Sequence, residues 1–161
     1  MSSRLHKQQN LAVLIDAQNI HTSLTPQVLR RAACYGVLAV KRAYADWSRP
    51  HHSECKRLLS RHAVEPVQLF HHVVGKNSAD IALVLDAVKL SASGVFHGFC
   101  LVSSDSDFAL LAHYLRGEGR RVYGFGARQT PEVFVQACTR FIYVEDLAAG
   151  PVTPERVPAS K

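Results

Sequence analysis

Two short apolar runs that stop at aspartates constrain this chain more than any other feature. The first is LAVLID, residues 11–16, and the second is GFCLVSS, residues 98–104, which Asp105 and Asp107 follow closely. Each run has the length and the branched side chains of a buried strand. Charged side chains are seldom buried without a partner. Each run therefore predicts a strand whose carboxyl end brings aspartate to the edge of a sheet.

Further strands and helices alternate along the chain. The strands are predicted at 37–46, 64–73, 121–126 and 141–144, and Pro66 suits an edge position for the third strand. The helices are predicted at 26–34, 50–62, 79–90 and 107–118, with a last helix that Thr130 caps and Pro131 begins. This alternation predicts a three-layer α/β/α sandwich around a mostly parallel sheet of Rossmann-like topology.

The predicted topology says where a ligand would bind. In open parallel sheets, ligands lie beyond the carboxyl ends of the strands, where the strand order reverses. The two runs that end at aspartates would place Asp16 and Asp105 at that edge. We therefore expect the first and fourth strands to be neighbours at the switch point.

The length of the chain, 161 residues, fits one domain. We predict a flexible N-terminus at 1–9, the folded domain at 10–147 and a disordered tail at 148–161, where three prolines follow Gly150. No apolar run approaches the roughly 20 residues of a membrane span, and the polar start does not resemble a signal peptide. We therefore expect a cytoplasmic protein that has no membrane partner.

Cysteine usage and net charge add weaker constraints. The four cysteines are widely spaced without a CxxC pair, so reduced structural thiols are expected rather than zinc ligands or disulfides. The formal net charge is +6, which is compatible with a polyanionic partner. If several of the acids serve one site, the remaining surface is more basic than this total suggests.

Three motifs supply the candidate chemistry: IDAQN at 15–19, GKNSAD at 75–80 and SSDSDF at 103–108. Taken singly, Asp80 and Asp105 could cap helices, and Asp16 could bind backbone N–H groups in its loop. Taken together, three distant segments deliver carboxylates to one edge of one sheet. Such like charges repel unless a cation compensates them, and an oxygen-only ligand set favours Mg²⁺, Mn²⁺ or Ca²⁺ over zinc.

Five segments in order also resemble a known family. LAVLIDAQNI, KRAYADWS, GKNSADIALVLDAVKL, LVSSDSDFALLAHYLRGEGRRVYGFG and TPEVFVQACTRFIYVEDL are similar to an NYN domain of the LabA-like branch, within the PIN-like nuclease superfamily. The resemblance covers about residues 10–147. It implies a ribonuclease that depends on one or two Mg²⁺ or Mn²⁺ ions, and we expect single-stranded RNA as its partner. The metal-binding and catalytic residues that it implies are Asp16, Asp80, Asp105 and Asp107.

The resemblance also implies supporting residues and shows a departure. Asn19 would orient Asp16 or a water molecule, and Ser103 and Ser104 would contact phosphate or ordered water. The family commonly has glycine and then an acid where this chain has Ala17 and Gln18. This change would weaken metal binding if that acid is a ligand and would cost nothing if it points to solvent.

Asp86 belongs to the family pattern but lies six residues after Asp80, off the same helix face. We expect a supporting hydrogen bond or ion pair rather than a metal ligand. Lys76 and Arg128 are candidate contacts for a substrate phosphate, each with a plain surface role as the alternative. The GFGAR segment at 124–128 lacks dinucleotide-binding spacing.

Aromatic and histidine side chains carry weaker signals. Adjacent residues on a strand point to opposite faces, so His71 and His72 form a poor chelate. Tyr44 and Trp47 could stack on bases or pack in the core.

Three functional classes stay open at this point. An endonucleolytic ribonuclease leads, and an RNA-binding module with little catalysis follows because of Gln18. A phosphatase of the haloacid dehalogenase type is disfavoured, because it needs a second aspartate where this chain has Gln18. The sequence leaves open whether the chain forms a homo-oligomer.

Overall fold

The fold is an α/β sandwich built on six parallel strands. The structure is a computed structural model that describes residues 8–69 and 78–148. The strands are β1 (Asn10–Asp16), β2 (Val37–Ala45), β3 (Glu65–Gln68), β4 (Gly98–Val102), β5 (Arg121–Gly126) and β6 (Arg140–Tyr143). Their order in the sheet is β3-β2-β1-β4-β5-β6, with every neighbouring pair parallel. The predicted fold class is confirmed.

In the described residues, five α-helices connect the strands. They are α1 (Thr25–Ala32), α2 (Ser53–Arg61), α3 (Ser78–Ala92), α4 (Ala109–Gly117) and α5 (Glu132–Ala137). Short 3-10 turns precede α1, α2 and α4, and another, Val144–Ala148, ends the described chain. The predicted helices at 50–62 and 107–118 therefore each begin with a 3-10 turn. Among the described residues, no helix combines the length and the hydropathy that a membrane crossing requires.

The two faces of the sheet carry separate cores. On β1, Leu11, Val13 and Ile15 face the core that α1 and α2 cover. Ala12 and Leu14 face the core that α3, α4 and α5 cover. Because side chains alternate along a strand, Asp16 lies on the same face as Ala12 and Leu14, towards α3.

The predicted neighbours β1 and β4 pair from Leu11↔Gly98 to Ile15↔Val102. The chain leaves this pair in opposite directions across the sheet, β1 towards β2 and β4 towards β5. The carboxyl ends of β1 and β4 thus form the switch point of the sheet. This confirms the predicted position of Asp16 and of the loop that carries Asp105.

Two local predictions need comment. Pro66 lies in β3, which is an edge strand as expected. The prediction that Thr130 caps the last helix is wrong: Pro131 is the N-cap residue of α5, and the Thr130 hydroxyl donates instead to the Ala127 carbonyl.

Most of the predicted flexible N-terminus and disordered tail, residues 1–7 and 149–161, lies outside the described residues.

Candidate metal centre

Three aspartates meet beyond the carboxyl end of β4. Carboxylate oxygens of Asp80, Asp105 and Asp107 all lie within 4.8 Å of one another. Asp80 is in the first turn of α3, and the other two belong to the loop and 3-10 turn after β4. Two segments distant in sequence therefore deliver carboxylates to one place, at the spacing that a shared cation requires.

The loop after β4 is held by its own polar groups. The Asp105 carboxylate accepts a 2.9 Å hydrogen bond from the backbone N–H of Asp107 and so caps the 3-10 turn at 106–108. The Asp105 N–H in turn donates to Ser103 Oγ at 3.1 Å. The cap uses one oxygen of Asp105, so both the structural and the ligand role that the sequence allowed are compatible with this geometry.

Asp16 lies at the end of β1 and is fully buried. Its Oδ2 accepts hydrogen bonds from Asn19 Nδ2 at 2.7 Å and from Ser103 Oγ at 2.9 Å. Its Oδ1 is buried and has no hydrogen-bond partner among the described residues. A buried carboxylate oxygen without a donor is costly, so this oxygen is open to a further ligand.

Among the described residues, the groups that shift the pKa of the Asp80 carboxyl are all negative. Burial raises the pKa of the Asp80 carboxyl to about 6, and the negative charges of the other three aspartates act in the same direction. Burial also raises the pKa of Asp16, although the hydrogen bonds from Asn19 and Ser103 oppose this change. Asp16, Asp80 and Asp105 are therefore close enough to interact as like charges.

The supporting residues of the sequence prediction divide into two groups. Asn19 and Ser103 contact Asp16 directly. Ser104 does not: its hydroxyl accepts the backbone N–H of Ala127 at 2.9 Å and joins the loops after β4 and β5. The structure thus commits both serines to contacts within the chain.

Asp86 lies apart from the cluster and contacts β2. Its Oδ2 accepts a 2.6 Å hydrogen bond from the Tyr44 hydroxyl and lies 3.4 Å from Arg42 Nη1. Tyr44 is fully buried, and burial together with this carboxylate raises the pKa of its hydroxyl. Asp86 therefore fastens α3 to the sheet.

Of the two candidate phosphate contacts, the structure describes Arg128 alone. Lys76, like His71 and His72, is outside the described residues. Arg128 is paired with Asp146, lies 3.8 Å from Glu145 and sits over the Tyr143 ring. A phosphate at Arg128 would therefore have to compete with two carboxylates of the same chain.

The GFGAR segment and the two aromatic candidates for base stacking contribute to packing within the chain. A Cβ atom on Gly126 would lie 2.7 Å from the Ser103 carbonyl oxygen, so the glycine allows the loops after β5 and β4 to approach closely. Trp47 is buried, and its indole N–H donates to the Val67 carbonyl at 3.1 Å. Tyr44 and Trp47 thus pack in the interior and are not available to stack on bases.

No sequence pattern predicted the cleft that lies beside the cluster. It has a volume of about 320 Å³ and is lined by the loop after β1 and by His52 and Cys55. Thr22 in that loop donates to Cys55 Sγ at 2.8 Å. These residues come from separate segments without any motif spacing, so only the fold brings them together.

Comparison with known proteins agrees with this architecture. A solved structure of a protein of unknown function from Vibrio parahaemolyticus is similar, with a TM-score of 0.73 and 21% sequence identity, covering 91% of this chain and 98% of that one. This similarity shows a shared fold. No curated protein matches the chain.

The family comparison is more specific. The model of the NYN domain matches residues 10–145, which include both strand ends and the four candidate aspartates. NYN domains have a PIN-like nuclease fold, generally bind RNA and act as nucleases, and typically use divalent metals. Because the match spans most of the sequence, this chain belongs to the NYN domain family.

Proposed function

We propose that this protein is a metal-dependent ribonuclease that cleaves single-stranded RNA endonucleolytically with Mg²⁺ or Mn²⁺. One observation carries the proposal: three carboxylates within 4.8 Å of one another stand beside a buried aspartate with a partnerless oxygen. We place the protein in the LabA-like branch on the motifs of its sequence, and in the cytoplasm, which its free cysteines suit.

The donor set fits a hard cation. Asp80, Asp105 and Asp107 offer carboxylate oxygens within reach of one ion, and Asp16 Oδ1 adds a fourth oxygen that has no hydrogen-bond partner within the part of the chain that the structure describes. Oxygen ligands without histidine or cysteine suit Mg²⁺ and Mn²⁺. When bound, such an ion supplies an activated water near neutral pH and neutralises charge on the phosphodiester.

The chain's own residues would prepare this site. Asn19 and Ser103 hold Asp16 Oδ2 and leave Oδ1 free to bind. The Ser103 hydroxyl also accepts the Asp105 N–H and so fixes the start of the loop that carries Asp105 and Asp107. Lys76 and Arg128 remain proposed phosphate contacts. Arg128 would bind the phosphate in place of its present partner, Asp146.

The proposal is tested by cleavage of an end-labelled single-stranded RNA with Mn²⁺, with Mg²⁺ and with EDTA. We expect cleavage that EDTA stops and that Asp105→Asn lowers by at least about 100-fold, in the range that loss of a preorganised charge costs. Asparagine can still cap the turn, so the fold should be kept. Glu118→Gln, an exposed neutralisation at the end of α4, is the matched control. Equal cleavage by Asp105→Asn would refute the proposal.

The second candidate is an RNA-binding module with little catalysis. It is favoured by one observation: the exposed Gln18 stands where the family commonly has an acid. This candidate predicts RNA binding that weakens with salt and persists in EDTA. Multiple-turnover cleavage by rigorously purified protein would exclude it.

A further inference from the structure

The cleft of about 320 Å³ lies at the same edge of the sheet as the aspartate cluster. Its near wall is the loop after β1, residues 17–22, and its far wall is formed by His52 and Cys55 at the start of α2. Asn19 belongs to both places, because it lines the cleft and donates to Asp16. A ligand in the cleft would thus be separated from the cluster by a single loop.

The alternation of side chains explains this division. Asp16 faces α3, whereas the next residue, Ala17, belongs to the core under α1 and α2. The cluster and the cleft therefore open on opposite sides of the β1 end. A chain molecule that crosses this end would touch the cluster with one unit and the cleft with the next.

The lining of the cleft carries no charged group among the described residues and mixes apolar side chains with polar ones, several of them planar. It offers the amide of Gln18, the imidazoles of His21 and His52 and the hydroxyl of Thr22, with no carboxylate, lysine or arginine from residues 8–69 and 78–148. The His52 ring is held edge-on against Trp47, with centroids 5.3 Å apart. Such a lining gives no strong attraction to phosphate, but it offers ring faces and hydrogen-bonding groups to a planar heterocycle.

We propose that this cleft binds the nucleobase of the nucleotide adjacent to the phosphodiester at the aspartate cluster. The inference rests on the proposed function, since it assumes an RNA substrate. The volume is at the lower end for ligand pockets, which suits one unpaired base and excludes a duplex. The ligand is thus a single-stranded nucleotide.

Gln18 acquires a role in this account. It is exposed at the rim of the cleft, and its amide can donate to and accept from a base edge. A carboxylate at this position could only accept and would repel the adjacent phosphate. Gln18 therefore presents a neutral group that can both donate to and accept from a base.

Cys55 provides a direct readout of occupancy, because it lines the cleft and is half-buried, whereas Cys34 is exposed in the turn after α1. The experiment measures alkylation of both thiols by N-ethylmaleimide with peptide mass spectrometry. The full chain is saturated, as shown by fluorescence anisotropy, with a single-stranded RNA 12-mer or with an abasic 12-mer of the same backbone. Ca²⁺ replaces Mn²⁺, and gels verify that the RNA is intact.

We expect base-bearing RNA to slow Cys55 alkylation at least about fivefold, which corresponds to the weaker end of base stacking. The abasic strand should leave the Cys55 rate nearly unchanged, and Cys34 should react equally in all samples. Gln18→Ala should lower the preference for base-bearing over abasic RNA by about fivefold. Gln136→Ala, an exposed glutamine on α5, should not.

The outcomes separate this inference from the proposed function. Unchanged Cys55 alkylation under saturating base-bearing RNA overturns the inference, even if the protein cleaves RNA. Base-dependent protection without cleavage in any metal supports the inference and overturns the ribonuclease. Absence of RNA binding overturns both.

Discussion

Ser103 Oγ donates a 2.9 Å hydrogen bond to Asp16 Oδ2, although the two residues are 87 positions apart in sequence. The bond joins the end of β1 to the residue that follows β4, at the switch point of the sheet. Ser103 is as deeply buried as Asp16. The orientation of the buried carboxylate therefore depends on the pairing of these two strands.

This bond predicts the effect of removing the Ser103 hydroxyl. Ser103→Ala should weaken Mn²⁺ affinity by about 10–100-fold, the usual cost of losing a group that orients a metal ligand. Isothermal titration calorimetry measures the affinity. Ser104→Ala is the matched control, because that hydroxyl contacts the Ala127 N–H rather than Asp16. Equal affinities of the two variants would contradict the orienting role.

The raised pKa of Asp80 predicts a pH-dependent stability. The pKa is about 6 in the folded protein against an ordinary value of 3.8, so the folded state binds this proton more tightly than the unfolded chain. The associated stability is fully present below pH 3.8 and is lost as the pH rises through about 6.

Asp80→Asn removes this dependence. In metal-free protein, its melting temperature should exceed that of the wild type increasingly from pH 4 to pH 7, by about 2–4 °C for each kcal/mol relieved. Saturating Mn²⁺ should reverse the order, because only the wild type gains a full ligand set. Thermal melts followed by circular dichroism test both statements. A wild type that is more stable than the variant at pH 7 without metal would contradict them.

Asp86 should affect folding rather than metal binding. Tyr44→Phe removes the 2.6 Å hydrogen bond to Asp86, and we expect a loss of about 1–3 kcal/mol in the free energy of unfolding. Urea denaturation measures this loss. Mn²⁺ affinity should be unchanged, and a large decrease in affinity would show that Asp86 acts at the metal centre.

Gly126 should affect both the stability of the fold and the binding of metal. A Cβ atom there would lie 2.7 Å from the Ser103 carbonyl oxygen and 2.8 Å from Thr130 Oγ1. Gly126→Ala should therefore displace the Ser103 loop, destabilise the protein by about 1–3 kcal/mol and weaken Mn²⁺ binding. Gly117→Ala is a fitting control, because a Cβ at Gly117 has no atom within 4 Å. Identical metal affinity in Gly126→Ala would mean that this loop tolerates the shift.

The strand ends were predictable because local pattern decides them. An apolar run that stops at Asp16 fits few structures other than a buried strand. The alternation of side chains along that strand then places the Asp16 carboxylate towards α3. Strand neighbours followed from the rules for parallel sheets. The same reasoning brought Asp105 to the edge where the structure has it.

Other features depend on partners that sequence does not reveal. The Tyr44–Asp86 hydrogen bond joins residues from different layers, and no residue spacing in the sequence predicts it. Threonine is a common helix-capping residue, but the Thr130 hydroxyl donates to the nearer Ala127 carbonyl. His52 and Cys55 reach the cleft only because a 3-10 turn at Pro50–His52 directs the start of α2.

The central claim, that these aspartates form one cation site, is tested most directly by Mn²⁺ binding. Electron paramagnetic resonance at pH 7.5 counts free Mn²⁺ during titration of the wild type and of Asp80→Asn, Asp105→Asn and Glu118→Gln. The account predicts saturable binding of one or two ions, at least about tenfold weaker in the first two variants and unchanged in the third. Equal Mn²⁺ affinity in the wild type and Asp105→Asn would contradict it.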